Sequence, residues 1–192
     1  MSLDGKALTL PTATAGLGYV KTSMSGDTAD NAHSLTIDKK NNGTSWGAVY
    51  AQFTQNASKV QNAASGLSIK REIMGTDSKQ KSSAWKVGDK VKVRITITAD
   101  RDYDFVQVED KRAACLEPVS QTSGYQWGYY LETKDNVTNY FFDHLSKGRH
   151  VVESEYYVDR TGDYTSGIAT VQCAYSPEFN GREGGKTITV ND

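Results

Sequence analysis

The chain has 192 residues, a formal net charge of −1 and an isoelectric point near 6.3. It carries no basic excess of the kind that marks a nucleic-acid-binding or anionic-membrane surface, so we expect neither nucleic acid nor membrane insertion. No apolar run reaches the roughly 18–20 residues that cross a bilayer. Seventeen glycines and eleven tyrosines, with many Thr and Val, favour strands and turns over helices. The composition predicts an all-β protein.

Residues 1–65 predict a small β unit. Residues 5–24 are interrupted by Pro and Gly, which indicates two short strands around a loop. A hairpin with its turn at 41–43 follows, because apolar residues alternate on both sides of Asn-Asn-Gly. These apolar residues are Leu35 and Ile37 on the first strand and Val49, Ala51 and Phe53 on the return strand. Residues 55–65 are small and polar, which predicts a linker and a domain boundary near residue 65.

Residues 66–192 predict the second and larger unit. The clearest strand starts after Gly88-Asp89, where apolar and polar residues alternate strictly. One face holds Val91, Val93, Ile95 and Ile97, and the other holds Lys90, Lys92, Arg94, Thr96 and Thr98. This period-two pattern is typical of a strand that is buried on one side only. Further short strands are separated by turn signals about every ten residues, which predicts an immunoglobulin-like antiparallel β-sandwich.

Two glycine-rich stretches resemble nucleotide-binding motifs without completing them. Residues 184–187, Gly-Gly-Lys-Thr, resemble the end of a phosphate-binding loop, but the glycine required at position 180 is Asn180. A strand pattern follows them, where the motif needs a helix. Gly16 and Gly18 lack the third glycine of a dinucleotide-binding fingerprint. We interpret both stretches as turns and expect no nucleotide cofactor.

Carboxylates and histidines also occur in suggestive groups. Aspartates alternate over residues 100–104, as in the first half of a calcium loop, but the bending glycine and the closing glutamate are missing. Asp143-His144 and the nearby His150 have no third ligand at a suitable spacing. No Gly-x-Ser-x-Gly stretch occurs, and neither cysteine has a histidine in a recognisable position. The sequence therefore predicts no catalytic residue, no cofactor site and no metal site.

The two cysteines, Cys115 and Cys173, allow one intrachain disulfide. In an oxidising compartment such a bridge would close a long loop, and in the cytosol both would be ordinary buried thiols. The sequence leaves these two alternatives open.

Residues 103–120 read as a strand that runs into "VEDKRAACLEPV" with no turn signal. This stretch resembles a segment of the last macroglobulin-type domain of bacterial alpha-2-macroglobulin-like proteins, where a strand and Asp lead through Pro-Ala-Gly to Glu-Pro. The residues kept here are Asp110, Ala114, Glu117 and Pro118. Ala113 stands where the family has Pro, and Cys115 where it has Gly. The resemblance implies that a loop leaves the sheet at Asp110 and that Pro118, which has no N–H, marks a restart at an edge or bend.

The resemblance extends over about residues 67–190. Residues 174–178, Ala-Tyr-Ser-Pro-Glu, stand where the family shows Met-Tyr-x-Pro-Glu. Residues 1–65 match more loosely. There "SWGAVYAQF" is similar to the strand that returns from the helical thioester-type domain into the small β-domain around it. We therefore expect the chain to be the C-terminal end of a much larger protein of the periplasm or cell envelope.

The resemblance implies a structural and interaction role and no catalysis. Full-length relatives are cut by a protease and trap it, and the Cys-Gly-x-Glu-Gln thioester of many of them is absent here. This region would dock against an upstream helical domain of the same parent chain and shield it, and the trapped proteases would be the parent's partners. Aromatic residues are candidates for that contact because they concentrate at interfaces. The candidates are Trp46, Tyr50, Trp127, Tyr129 and Tyr140.

A carbohydrate-binding or adhesive β-sandwich module of a cell-surface protein is the alternative. It predicts coplanar exposed aromatic rings on one sheet face or in a cleft. The docking interpretation predicts an apolar patch on one side of the larger unit.

Overall fold

The computed structural model describes residues 1–13, 18–76 and 84–192. Gly16 and most of the polar run after Gly75 lie outside the described residues. The chain divides into two units, Met1–Ala51 and Gln52–Asp192. Nearly all regular structure in the described residues is β-strand, so the all-β prediction is confirmed.

The first unit contains a three-stranded antiparallel sheet in the order β2-β1-β3. Its elements are β1 (Ser2–Leu3), β2 (Lys6–Ala7), α1 (Asp27–Asp30) and β3 (Leu35–Thr36). The Asp4 carboxylate accepts the backbone N–H of Ser34 at 2.8 Å. This contact fixes the chain before β3 against the turn between β1 and β2.

The predicted return strand of the hairpin is not formed. Residues 44–56 contain no strand, and Val49, Ala51 and Phe53 are exposed. A strand is stable only when its backbone groups find partners. β3 is two residues long and pairs with β1 instead, so the described residues of the first unit offer the return segment no partner strand.

The second unit contains one short 3₁₀ helix and fourteen strands among its described residues. These elements are η1 (Ala57–Lys59), β4 (Ala63–Ser65), β5 (Leu67–Gly75), β6 (Ala84–Lys86), β7 (Lys90–Ala99), β8 (Tyr103–Lys111), β9 (Leu116–Pro118), β10 (Gly124–Gln126), β11 (Tyr129–Thr133), β12 (Val137–Leu145), β13 (Gly148–Val158), β14 (Gly162–Thr165), β15 (Ala169–Cys173), β16 (Asn180–Glu183) and β17 (Thr187–Asn191). The second unit thus begins before the predicted boundary at residue 65. The reason is that β4 pairs with β16 and η1 accepts a hydrogen bond from Gly185.

Eleven of these strands form one sheet in the order β10-β11-β12-β8-β15-β16-β4-β5-β7-β13-β9. The sheet folds on itself near β4, so that β12 faces β13 across the core. Side-chain hydrogen bonds join these two unpaired strands: Thr138 to Tyr156 at 2.9 Å and Tyr140 to Ser154 at 2.8 Å. We call β10, β11, β12, β8, β15 and β16 the first layer, and β5, β7, β13 and β9 the second layer. A separate three-stranded sheet has the order β14-β17-β6.

The core lies between the two layers. Val91, Val93, Ile95 and Ile97 of β7 are all buried, as their alternation predicts, and they belong to the same apolar cluster as Val106, Val108 and Val171. The alternating polar residues of β7 lie on the outside of the second layer, where only Thr96 is buried. Period-two patterning therefore located the core face of this strand correctly.

The stretch after β8 also follows the expectation. β8 ends at Lys111, one residue after Asp110, and the chain leaves the sheet there. The next strand, β9, contains Pro118 and is the outermost strand of the second layer, paired only with β13. An edge position suits proline because its missing N–H interrupts no ladder.

A buried cation joins the layers next to this point. The Arg71 guanidinium on β5 donates to the Asp110 carboxylate on β8 and to the Ser166 hydroxyl, both at 2.6 Å. The backbone N–H of Arg71 donates to the Glu183 carboxylate, which also pairs with Lys186 at 2.6 Å. Burial raises the pKa of Asp110, and the charge of Arg71 opposes that rise. The strand end at Asp110 is thus an anchoring point between the layers.

Candidate docking surface

The predicted ligand-like groups have separate local partners. In the 100–104 turn, Asp100 accepts from Arg101 at 3.0 Å and from the Tyr103 hydroxyl at 2.6 Å. These two hydrogen bonds, that of Arg101 first, hold the pKa of Asp100 below its usual range. Asp104 pairs with His144 at 2.7 Å and thereby raises the pKa of this histidine. The acids of the turn therefore do not converge on one point.

No group of three or more His, Cys, Asp or Glu side chains in the described part of the chain could hold a metal ion. In the same residues, no helix has the length and apolar character needed to cross a membrane.

Cys115 and Cys173 are both buried and both free. The two cysteines are therefore separate thiols in this structure.

The five aromatic residues predicted to lie at an interface fall into three groups. Trp46 and Tyr50 lie in the first unit and are almost fully exposed. Trp127 forms the tip of the β10–β11 turn and is 100% exposed. Tyr129 is half-buried and its ring packs against Phe142, with centroids 5.5 Å apart.

The prediction for Tyr140 is wrong. Tyr140 is fully buried in the core, and its hydroxyl bonds Ser154 of the opposite layer. Alternation along β12 turns Tyr140 inward together with Thr138 and Phe142, while Phe141 between them faces outward. A hydroxyl on an aromatic ring does not distinguish the two environments, because a buried hydroxyl that finds a partner is well accommodated.

A row of planar side chains crosses the outer face of the first layer. Tyr125, Tyr130 and Phe141 are direct cross-strand neighbours on β10, β11 and β12. Their ring centroids lie 5.2 and 6.5 Å apart, and the row continues into Gln107 on β8 and Gln172 on β15. We call these five residues the aromatic row. The planes of the first two rings meet at 77° and those of the second pair at 45°, so the rings do not form a flat platform.

A groove of about 290 Å³ lies between the layers at the end near Trp127. It is lined by Trp127, Tyr129, Phe142, His144 and His150, among others. His144 is engaged by Asp104, and the His150 ring nitrogen Nε2 lies 2.7 Å from the Ser146 carbonyl oxygen. The groove is therefore aromatic and carries polar groups that already have partners.

A second exposed aromatic pair lies on the same layer and was missed from the sequence. The Phe105 and Tyr175 rings meet edge to face, with centroids 5.2 Å apart and planes at 88°. Phe105 is 51% and Tyr175 80% exposed. We call this pair the aromatic hook. The N–H of Ala174 donates to the Phe105 carbonyl at 2.8 Å, which places the two segments side by side.

The backbone explains why the hook projects from the sheet. Phe105 has φ +55°, in the left-handed region that costs a non-glycine residue roughly 1–2 kcal/mol. This residue interrupts the alternation of β8, because Tyr103 and Val106 are both buried although they are three residues apart. Alternation with Val106 and Val108 places Phe105 on the outer face, but it does not reveal the left-handed backbone. Tyr175 had a signal, since it lies in the Tyr-Ser-Pro-Glu stretch of residues 175–178.

Comparisons with known proteins bear on this surface. The family described as the bacterial alpha-2-macroglobulin MG10 domain matches residues 66–178, more than half of the chain. A solved mutant of Salmonella alpha-2-macroglobulin is similar, with a TM-score of 0.61 and 22% identity over 69% of this chain and 10% of that chain. Native Escherichia coli alpha-2-macroglobulin from MG7 to the C-terminus gives 0.62 and 20% over 70% of this chain and 25% of that chain. The trypsin-activated Escherichia coli protein gives 0.60 and 20% over 68% and 11%.

The structural similarities support a conclusion about the fold alone. At 20–22% identity they show a shared fold, and the chain spans about a tenth of the length of the Salmonella protein it resembles. A comparison with curated proteins gives no match. The matched segment contains the hook, the aromatic row and the buried Asp110.

Proposed function

The chain belongs to the bacterial alpha-2-macroglobulin MG10 domain family, and on this premise we propose that it is the C-terminal structural and interaction domain of a protease-trapping protein. Its fold is the immunoglobulin-like, macroglobulin-type sandwich that the sequence predicted. In this proposal the domain docks against an upstream helical domain of the parent chain, shields it, and does no chemistry itself. The partners of the parent are the proteases that it traps in the periplasm or cell envelope.

The aromatic hook is the observation that carries this proposal. Phe105 and Tyr175 expose two large rings outside the core, and the backbone of Phe105 is held in a costly conformation to do so. Backbone strain of this kind persists where the surrounding structure enforces it, commonly at functional sites. Because rings that leave the core do not stabilise the domain by burial, their benefit must come from a partner, and aromatic residues are frequent anchors of interfaces.

A neutral row beside the hook supports a protein partner. Gln107 of the aromatic row lies two residues from Phe105 on β8, and the row continues through Phe141 to the edge of the layer. Neutral planar side chains cost less to desolvate than charges do. The alternative of a carbohydrate-binding module loses support, since its coplanar rings are replaced by rings at 77° and 45°.

The proposal extends to the first unit. Residues 44–53 read as a strand, yet Trp46, Tyr50 and Phe53 are exposed, and the segment forms no strand pairing with the described part of the first unit. We propose that this segment is the return strand of a domain that hosts a helical insertion. The partner strands would then come from the upstream part of the parent chain.

The test uses the full-length parent protein before any protease is added. Phe105→Gly and Tyr175→Ala are expected to increase hydrogen exchange in the upstream helical domain, because each removes one ring of the hook. Glycine adopts a φ of +55° without strain, so Phe105→Gly should keep the stability of this domain within about 1 kcal/mol of the original. A loss of docking at unchanged stability would separate an interface role from a packing role.

Tyr157→Ala is the matched control, because Tyr157 is a half-exposed tyrosine on the outer face of the second layer. It should leave the exchange of the helical domain unchanged. Equal exchange in all three variants would refute docking through the hook. Binding of the unmodified chain to a glycan array, lost in Tyr125→Ala, would favour the carbohydrate alternative instead.

A further inference from the structure

The chain enters the sandwich through residues 56–65, which we call the strap. The strap contains η1 and β4, lies before the segment matched by the family, and leads directly into β5. None of its side chains is buried, and only Ala57 and Val60 are half-buried. It contributes almost no apolar surface to the core, so other forces must hold it in place.

Hydrogen bonds hold the strap. The Ala57 carbonyl accepts the N–H of Gly185 at 2.8 Å, and the Asn62 side-chain oxygen accepts the N–H of Gly184 at 3.0 Å. The Gln61 carbonyl accepts from the Arg182 guanidinium at 3.1 Å. Residues 63–65 add an antiparallel ladder with β16. Segments attached by hydrogen bonds without apolar burial lie at the low end of local stability.

Gly184 and Gly185 form a seat that only glycine permits. A Cβ on Gly184 would lie 2.4 Å from the Val60 carbonyl oxygen, which is closer than any real contact. A Cβ on Gly185 would lie 3.1 Å from the Ala57 side chain and 2.4 Å from the Ser166 carbonyl oxygen. The backbone of the strap therefore lies so close to residues 184 and 185 that these positions leave no room for a Cβ atom.

The sandwich has other contacts that close it beneath the strap. β16 packs directly on β5, since a Cβ on Gly181 would lie 2.6 Å from the Leu67 carbonyl oxygen. The backbone N–H of Arg71 on β5 also donates to Glu183 on β16. Lifting residues 56–65 would leave these contacts and the buried Arg71–Asp110 pair intact.

We propose that the strap can detach from the sandwich while the sandwich stays folded. Its attachment or release would then set the length of the tether, by which we mean the stretch of chain that links the sandwich to the residues before it. When the strap is seated, the chain is fixed to the sandwich from residue 56 onward. When it is released, fixation starts at β5 and the tether gains about ten residues, or roughly 30 Å at full extension. Such an element has two discrete states, as order–disorder switches require.

Limited trypsin digestion of the whole chain tests the proposal, because Lys59 lies in the middle of the strap. Cleavage after Lys59 is expected to be slow in the original protein and about tenfold faster in Gly184→Ala, since proteolysis follows the population of the opened segment. Asn62→Ala, which removes the acceptor of the Gly184 N–H, should accelerate cleavage by a smaller factor. In both variants the fragment from residue 60 onward should remain folded and keep its urea midpoint.

Gly124→Ala is the matched control, because an added Cβ there meets nothing within 4 Å. It should leave the cleavage rate unchanged. An unchanged rate in Gly184→Ala would overturn the proposal. The proposal would also be overturned if every variant were cleaved only at urea concentrations that unfold the whole sandwich. The strap would then open only by global unfolding of the sandwich.

Discussion

A group of ion pairs on the outer face of the second layer contrasts with a neutral row on the outer face of the first layer, which carries ion pairs elsewhere, such as Lys111–Glu109. On the second layer, Glu153 of β13 pairs with both Lys92 and Arg94 of β7, at 3.0 and 2.6 Å. Next to them Lys90 pairs with Glu155 at 2.7 Å. On the first layer, the aromatic row crosses five strands without a charge.

The ion pairs of the second layer suit a hydrated surface, whereas the neutral row of the first layer suits contact with a partner protein. Cross-strand pairs of opposite charge satisfy one another on the second layer and remain hydrated there. Removing such charges from water is costly, whereas neutral rings and amides lose less on contact with another protein. We therefore propose the first layer, which also carries the hook, as the docking side of the domain.

The largest expected loss of stability comes from breaking the buried ion pair between the layers, compared with breaking an ion pair on the outer face of the second layer. Arg71→Met leaves Asp110 buried without its cation, so we expect a loss of about 3–5 kcal/mol in the free energy of unfolding. Arg94→Met, the same substitution on the second layer, should cost less than about 1 kcal/mol. Urea denaturation at neutral pH measures both losses. Equal losses would mean that the outer pairs are not solvated as described.

A smaller effect concerns the pH dependence of the charged face. Burial alone would raise the pKa of Glu153, but the hydrogen bonds from Lys92 and Arg94 outweigh it and hold this pKa below its usual range. A carboxylate with a lowered folded-state pKa stabilises the protein above its unfolded pKa of about 4.3, and this contribution disappears as the pH falls through the folded value. Glu153→Gln should therefore lower stability at pH 7 by about 1 kcal/mol or less.

The comparison of pH profiles sharpens this prediction. The difference between the original protein and Glu153→Gln should shrink as the pH falls below about 4, because the glutamate is then protonated. Glu178→Gln, which changes an exposed carboxylate in the turn after Tyr175, is measured alongside as the control variant. A constant difference from pH 7 to pH 3 would contradict the role assigned to Glu153.

The smallest effect on stability is expected for the aromatic row. Tyr125 is 79% exposed at the outermost strand of the first layer, so Tyr125→Ser should change the free energy of unfolding by less than about 0.5 kcal/mol. Its effect should appear in docking to the upstream chain, measured as complex formation. Tyr157→Ser on the second layer should change neither quantity much. A large stability loss in Tyr125→Ser would show that the row is part of the packing of the layer.

Several elements of the fold could be predicted because they depend on local pattern. The alternation of β7 identified its core face, and the missing N–H of Pro118 indicated an edge strand. The paired role of the β7 cations could not be predicted, since their partners Glu153 and Glu155 lie about sixty residues away on β13. Likewise, nothing in the sequence showed that residues 61–65 bond to β16 and so belong to the second unit.

The candidate surface shows the same division. Trp127 and Tyr140 were both predicted as interface candidates because they are aromatic, but Trp127 is fully exposed and Tyr140 is buried. Both outcomes follow from one fact, that side-chain chemistry is a local property and exposure is not. Phe105 was not among the predicted interface residues, and its left-handed backbone, which interrupts the alternation of β8 after the buried Tyr103, could not be read from the sequence.

The sequence by itself determined the all-β class, the sandwich, the buried face of β7 and the family resemblance of the larger unit, because these depend on periodicity and on short residue patterns. Only the tertiary structure decided which rings leave the core, which carboxylate pairs with Arg71, and where the second unit begins. These features depend on segments far apart in the chain that meet across the two layers, and a pattern within one strand carries no information about the strand it will face.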